Sequence, residues 1–140
     1  MSGVRKKDQT PHRLTVLDKC LDLYDHTTTL TANEKVFDRT YKSLIDRIDY
    51  EASMIYHCCR AANEDNDNRV KDEAEIRIDL QQEALKHCAW LKTCIRLAQR
   101  KFHLRAKKVV FWNDLVKDAA EYIKNWNVSE IRNYKEKFGL

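Results

Sequence analysis

Glycine and proline are nearly missing from this chain. Its 140 residues hold two glycines and one proline, at Gly3, Gly139 and Pro11, and from His12 to Phe138 there is neither. Tight β-turns rely on glycine for backbone conformations that other residues resist, so a sheet-rich fold is disfavoured. No apolar run approaches the ~18 residues that a membrane-spanning helix requires. The opening segment MSGVRKKDQTPHR carries charge but no apolar core, unlike a signal peptide. The five cysteines are odd in number and include no CxxC pair. That usage points to free thiols in a reducing, cytoplasmic setting. A glycine-rich phosphate loop, a GxSxG turn and an HExxH helix are all lacking, so no catalytic residue, metal ligand or cofactor is assigned, and the chain reads as a non-enzyme.

What is present is an ordinary mixture of 43% hydrophobic and 34% charged residues, enough for one domain with a core of its own. Apolar residues recur at steps of three and four, which predicts an all-α chain. Leu14, Leu17, Leu21, Tyr24 and Thr28 mark a first helix over about 14–30. A second is expected from Asn33, a plausible N-cap, with Phe37, Tyr41, Leu44, Ile45, Ile48, Ala52, Ile55, Cys59 and Ala62 in line. The polar run 63–69 ends it. Ala84, Cys88, Leu91, Ile95, Ala98 and Phe102 define a third helix ending near His103. Val109, Trp112, Leu115, Val116, Ala119, Ile123 and Trp126 define a fourth. The simplest packing is an antiparallel up-down-up-down four-helix bundle whose second and third helices are the long ones, at ~45–50 Å. The expected organisation is a disordered basic N-terminus over 1–12, the bundle over 13–127 and a polar C-terminal tail over 128–140.

The stretch IYHCCRAANE, with the later pair His87-Cys88, raises the question of a metal site. Successive helical residues turn by about 100°, so His57, Cys58 and Cys59 spread over ~200° and cannot converge on one ion. Cys59 and Cys88 fall on apolar stripes and read as small core residues. His57 and His87 read as surface or flank residues.

Charge is the strongest signal. Residues 64–83 carry eight acidic side chains against three basic ones, whereas residues 84–113 carry no acid at all. That second segment holds Lys86, Lys92, Arg96, Arg100, Lys101, Arg105, Lys107 and Lys108. Acid at a helix start and base at its end complement the macrodipole, but the effect fades within a turn and does not exclude acids from thirty residues. Lys92, Arg96 and Arg100 stand at i, i+4, i+8, a spacing at which like charges repel. Retention of such a ridge points to an anionic partner, and phosphate-directed binding of nucleic acid is the leading expectation over a merely solvated face. The candidate contacts are Lys92, Arg96, Arg100, Lys101, Arg105, Lys107 and Lys108.

The order of these pieces resembles one family. LTVLDKCLDLYDHTTTLTANEKVFDRTYKSLIDRI resembles its first two helices, and IYHCCRAANE the end of the second, with Ala62-Asn63 before the turn. RIDLQQEALKHCAWL resembles its Arg-x-x-x-Gln-x-x-Ala-x-x-x-Cys pattern, and Trp112, Leu115, Val116 and Trp126 complete the match over roughly residues 13–130. The family is that of the accessory variability determinant proteins of diversity-generating retroelements, grouped with four-helix-bundle proteins encoded in intervening sequences of 23S rRNA. The resemblance implies a homopentamer with a positive surface. Such a protein binds the reverse transcriptase of its retroelement together with template RNA and cDNA, and supports mutagenic reverse transcription without being the polymerase. It also implies that Cys59 and Cys88 face the bundle interior and that Asn63 closes the second helix. An rRNA intervening-sequence protein, and an interaction bundle without nucleic acid, are the alternatives on the same fold.

Overall fold

The computed structural model describes the backbone of residues 11–139 and the side chains of residues 15–139. Four α-helices, α1 (Pro11–Thr31), α2 (Lys42–Glu64), α3 (Lys71–Phe102) and α4 (Ala106–Phe138), and one 3-10 turn (Arg39–Tyr41) make up the described chain, with no strand among these residues. Packing joins α1 to α2, α2 to α3, α3 to α4 and α4 back to α1, which closes an antiparallel bundle. Of the expected disordered N-terminus, residues 1–10 lie outside the described residues. Pro11 opens α1, where its missing N–H costs nothing and its fixed φ suits the first turn.

The inward face of α1 is offset from the expected one. Val16, Cys20, Leu23, Thr27 and Thr31 are buried, whereas Leu21 is exposed and Leu17 and Tyr24 only flank the core. The offset arises because cysteine and threonine fill this face. The Thr27 hydroxyl accepts from Trp112 Nε1 at 3.0 Å, and Thr31 donates to Asp49 at 2.7 Å. Hydroxyls satisfied in this way are tolerated in a core that hydropathy alone assigns to leucine.

The second helix begins later than its stripe suggests. Asn33 starts a turn, not a helix. Its Oδ1 accepts from Lys35 N at 3.1 Å and its carbonyl from Phe37 N at 2.8 Å. Asp38 then caps the 3-10 turn through Thr40 N at 2.9 Å, and α2 starts at Lys42. Phe37 therefore enters the core from a loop, with its ring 4.7 Å from Phe102 and 6.3 Å from Trp112. The stripe from Ile45 to Ala62 is buried as expected, and Tyr41 is exposed.

In consequence the two long helices are α3, with 32 residues, and α4, with 33; α2 has 23. The expected polar tail over 128–140 is not separate from the bundle: α4 runs through it to Phe138 and ends on Gly139 in the left-handed conformation at φ 74°. The physical reason is a polar core. Glu130 and Tyr134 are buried. Glu130 Oε1 receives Arg77 Nη2 at 2.8 Å and Gln81 Nε2 at 3.3 Å, and the Tyr134 hydroxyl bonds to the Glu75 carboxylate. Hydropathy sees a polar segment where the fold uses charged partners.

Arg77 also donates to the Ala62 carbonyl at 2.7 Å and to that of Asn66 at 3.0 Å, so it closes the C-terminal end of α2. Asn127 joins the cluster by donating to Gln81 Oε1 at 2.9 Å. Arg77, Gln81, Ala84 and Cys88 are all buried. The pattern that carries the family resemblance in α3 is thus a packing pattern, one that anchors α4 and the α2 terminus.

Candidate nucleic-acid interface

The seven cations predicted as contacts are all exposed, and among the described residues none of them is ion-paired. They divide into two groups by the way the helices present them. Lys92, Arg96 and Arg100 form a line of ~12 Å along the outer face of α3, away from its buried Leu91, Ile95, Ala98 and Phe102. Arg100 and Lys101 occupy the last turn, where positive charge suits the helix dipole. Lys101 Nζ also stands 5.3 Å from the Tyr41 ring centroid, a cation–π contact that leans it toward the 3-10 turn.

The chain then reverses sharply. His103 caps α3 in the left-handed conformation at φ 53°, a region histidine enters more readily than most side chains. Arg105 precedes α4 without a side-chain cap, and Lys107 and Lys108 stand in the first turn, which contains no acid. Here the dipole argument runs the other way. Cations at a helix N-terminus oppose the macrodipole, so helix stability does not account for them.

Arg105, Lys107 and Lys108 line a cleft of about 360 Å³ with His26, Leu30 and Phe111. Lys108 also borders a smaller pocket of about 180 Å³ that includes Leu30, Phe37 and Trp112. Lys92, Arg96 and Arg100 lie outside both. The sequence reading missed His26 and Phe111. Phe111 had one signal, an aromatic off the apolar stripe inside the acid-free segment, whereas nothing in sequence ties His26 to it. Burial lowers the His26 pKa, so its ring is neutral near pH 7.

The opposite end of the bundle has the reverse character. Asp72 and Glu73 open α3, and Asp67 pairs with Arg69 at 2.8 Å, which with further hydrogen bonds holds its carboxyl down at about 2. The basic residues of the α4 terminus, Lys135 and Lys137, lie at this acidic end, a full bundle length from the basic cleft.

His87 is not a surface residue: its side chain is 5% exposed. Its Nδ1 lies 2.5 Å from Glu51 Oε1, and Arg47 donates to the other oxygen of the same buried carboxyl group. Tyr50 and Trp90 pack edge-on against the imidazole, at 6.0 and 5.1 Å. A buried acid needs such partners, and they explain a histidine on an inward flank. His57 is exposed.

All five cysteines are free and buried, and among the described residues no three potential ligands converge as a metal site. Burial pushes the Cys58 thiol up to about 11 and Cys88 to about 12, from an ordinary 9.0. Hydrogen bonding with Cys20, then burial, raises Cys59. Such thiols are poor nucleophiles at neutral pH. A thiol reagent at pH 7.5 is expected to label the native protein slowly, and all five sites at once in urea. Fast native labelling contradicts the packing. Because folding favours the protonated thiols, their contribution to stability is constant below pH 9 and is lost as pH rises toward 11–12. Urea midpoints measured on both sides of pH 9 check the sign.

No protein-family model matches the chain, no curated protein matches it, and no solved structure does.

Proposed function

We propose that this chain is a non-catalytic nucleic-acid-binding bundle that acts as an accessory variability determinant of a diversity-generating retroelement. The observation that carries the binding reading is the row of exposed cations from Lys92 to Lys108, without an ion pair among the described residues, in a segment that contains no acid between residues 84 and 113. Lys92, Arg96 and Arg100 contact phosphates along α3, and Lys101, Arg105, Lys107 and Lys108 continue the track around the bundle end. The retroelement assignment comes from the resemblance, and with it the reverse transcriptase, template RNA and cDNA as partners, the homopentamer and the cytoplasmic setting. In this role the protein holds enzyme and template together while the polymerase does the chemistry.

The test is the pair Arg96→Glu with Arg100→Glu. Both side chains are exposed, so the bundle stays folded by circular dichroism. Template-RNA affinity is expected to fall more than tenfold, and the slope of log affinity against log salt to shrink by about 1.4 for a single strand. Salt-independent RNA binding, or binding untouched by the double reversal, sinks the assignment of this ridge.

A second reading, an interaction bundle without nucleic acid, is favoured by one feature. Tyr50, Trp90 and Leu97 leave 50%, 44% and 48% of their surfaces exposed on α2 and α3. Apolar surface of this kind suits a protein partner. In the leading reading it supplies contacts between copies of the chain.

A further inference from the structure

We infer that the cleft between α1 and α4 at the basic end is a stacking subsite for an unpaired base of single-stranded nucleic acid, with the adjoining phosphates held by Arg105, Lys107 and Lys108. The inference rests on the nucleic-acid reading above. It adds a discrimination that a row of cations lacks, between a strand with free bases and a bare polyanion. Three observations carry it. The cleft, about 360 Å³, is in the size range of small-ligand sites and has Leu30, His26 and Phe111 as its apolar lining. Phe111 is 55% exposed, and its ring meets that of His26 edge-on at 5.0 Å, so one aromatic is held in place with much of its surface open. The three cations stand beside this ring and not around it at random. Asp25 is next to His26 in sequence, while Asp22, one turn before His26 on α1, and Asp114, about one turn after Phe111 on α4, both lie in the direction opposite to the start of α4. Phosphate is therefore favoured on the α4-start side and the base over the ring.

The neutral His26 ring suits this arrangement, since it braces Phe111 without adding charge repulsion to Arg105, Lys107 and Lys108. A duplex keeps its bases stacked inside and cannot use the ring. A single strand offers a base face and a flexible backbone together, and every base has such a face, so the subsite is tolerant of sequence.

The experiment compares three probes on the full chain: a single-stranded RNA of about 12 nucleotides, a strand of the same length with abasic residues, and a duplex. The native protein is expected to prefer the base-bearing strand over the abasic one by about five- to a hundredfold. Phe111→Leu removes that preference and leaves abasic-strand affinity, duplex affinity and salt dependence in place, whereas Phe111→Tyr keeps it. Circular dichroism confirms that both variants fold. Equal affinity of the native protein for base-bearing and abasic strands overturns the subsite and leaves the ridge intact. So does a preference that survives Phe111→Leu. Absence of salt-dependent binding to any of the three probes overturns the underlying nucleic-acid reading as well.

Discussion

Glu130→Ala is expected to cost about 3–5 kcal/mol of folding free energy, read as a lowered urea midpoint. The size follows from what the substitution strands. Arg77 is 2% exposed, and among the described residues its guanidinium has Glu130, at 2.8 Å, as its one paired carboxylate. Without that carboxylate a buried cation keeps the carbonyls of Ala62 and Asn66 and the Trp126 ring, 5.7 Å from the guanidinium, but no opposite charge against it. Gln81 and Asn68 lose an acceptor as well, at 3.3 Å each. The pair itself need not be a net stabiliser, because two charges had to leave water to form it. Joint replacement by Arg77→Met and Glu130→Leu is accordingly expected to recover the part of the loss that comes from the stranded charge, and not the part from the uncapped Ala62 and Asn66 carbonyls. A cost below about 1 kcal/mol for Glu130→Ala shows that the last turns of α4 do not dock on the bundle.

Trp112→Ala is expected to cost a similar ~3–5 kcal/mol. Trp112 is fully buried at the basic end, where it packs against Phe37 and donates to Thr27 at 3.0 Å. Its removal leaves a cavity beneath the loop that carries Phe37 and beside the smaller pocket bordered by Lys108. Trp112→Phe separates the contributions: it keeps most of the packing and leaves the buried Thr27 hydroxyl without its donor, a cost of ~1–3 kcal/mol. Thermal and urea unfolding of the two variants measure the difference. Equal, small losses in both contradict the packing of this end. Since the cleft lies beside Trp112 and not on it, Trp112→Phe is expected to leave RNA affinity unchanged.

The helices themselves were legible because burial of apolar side chains leaves a periodic trace. The stripes of α3 and α4 are read correctly through Phe102 and Trp126. Where the core is polar, the trace fails. Thr27 and Thr31 on α1, Glu51 and His87 between α2 and α3, and Arg77, Gln81, Asn127 and Glu130 beneath the α4 terminus are buried because each finds a partner on another helix. A partner 18 to 85 residues away has no local signature. Reading the last segment as a separate tail and allowing His87 a place on the surface are the same error seen twice.

The candidate interface divides in the same way. The absence of breakers, the helical periods and the acid-free basic run are properties of local sequence, and they suffice for an all-α bundle with a positive ridge at Lys92, Arg96 and Arg100. The end at which the cations of the α3–α4 turn gather, and the ring they gather beside, depend on how α1 lies against α4. His26 and Phe111 are 85 residues apart in sequence, like Thr27 and Trp112 one position on in each helix, and antiparallel packing brings both pairs together. Side-chain spacing within one helix is set by the backbone and can be read along the chain. Proximity between helices is set by which faces bury together, and here those faces are partly polar, so it emerged only on folding.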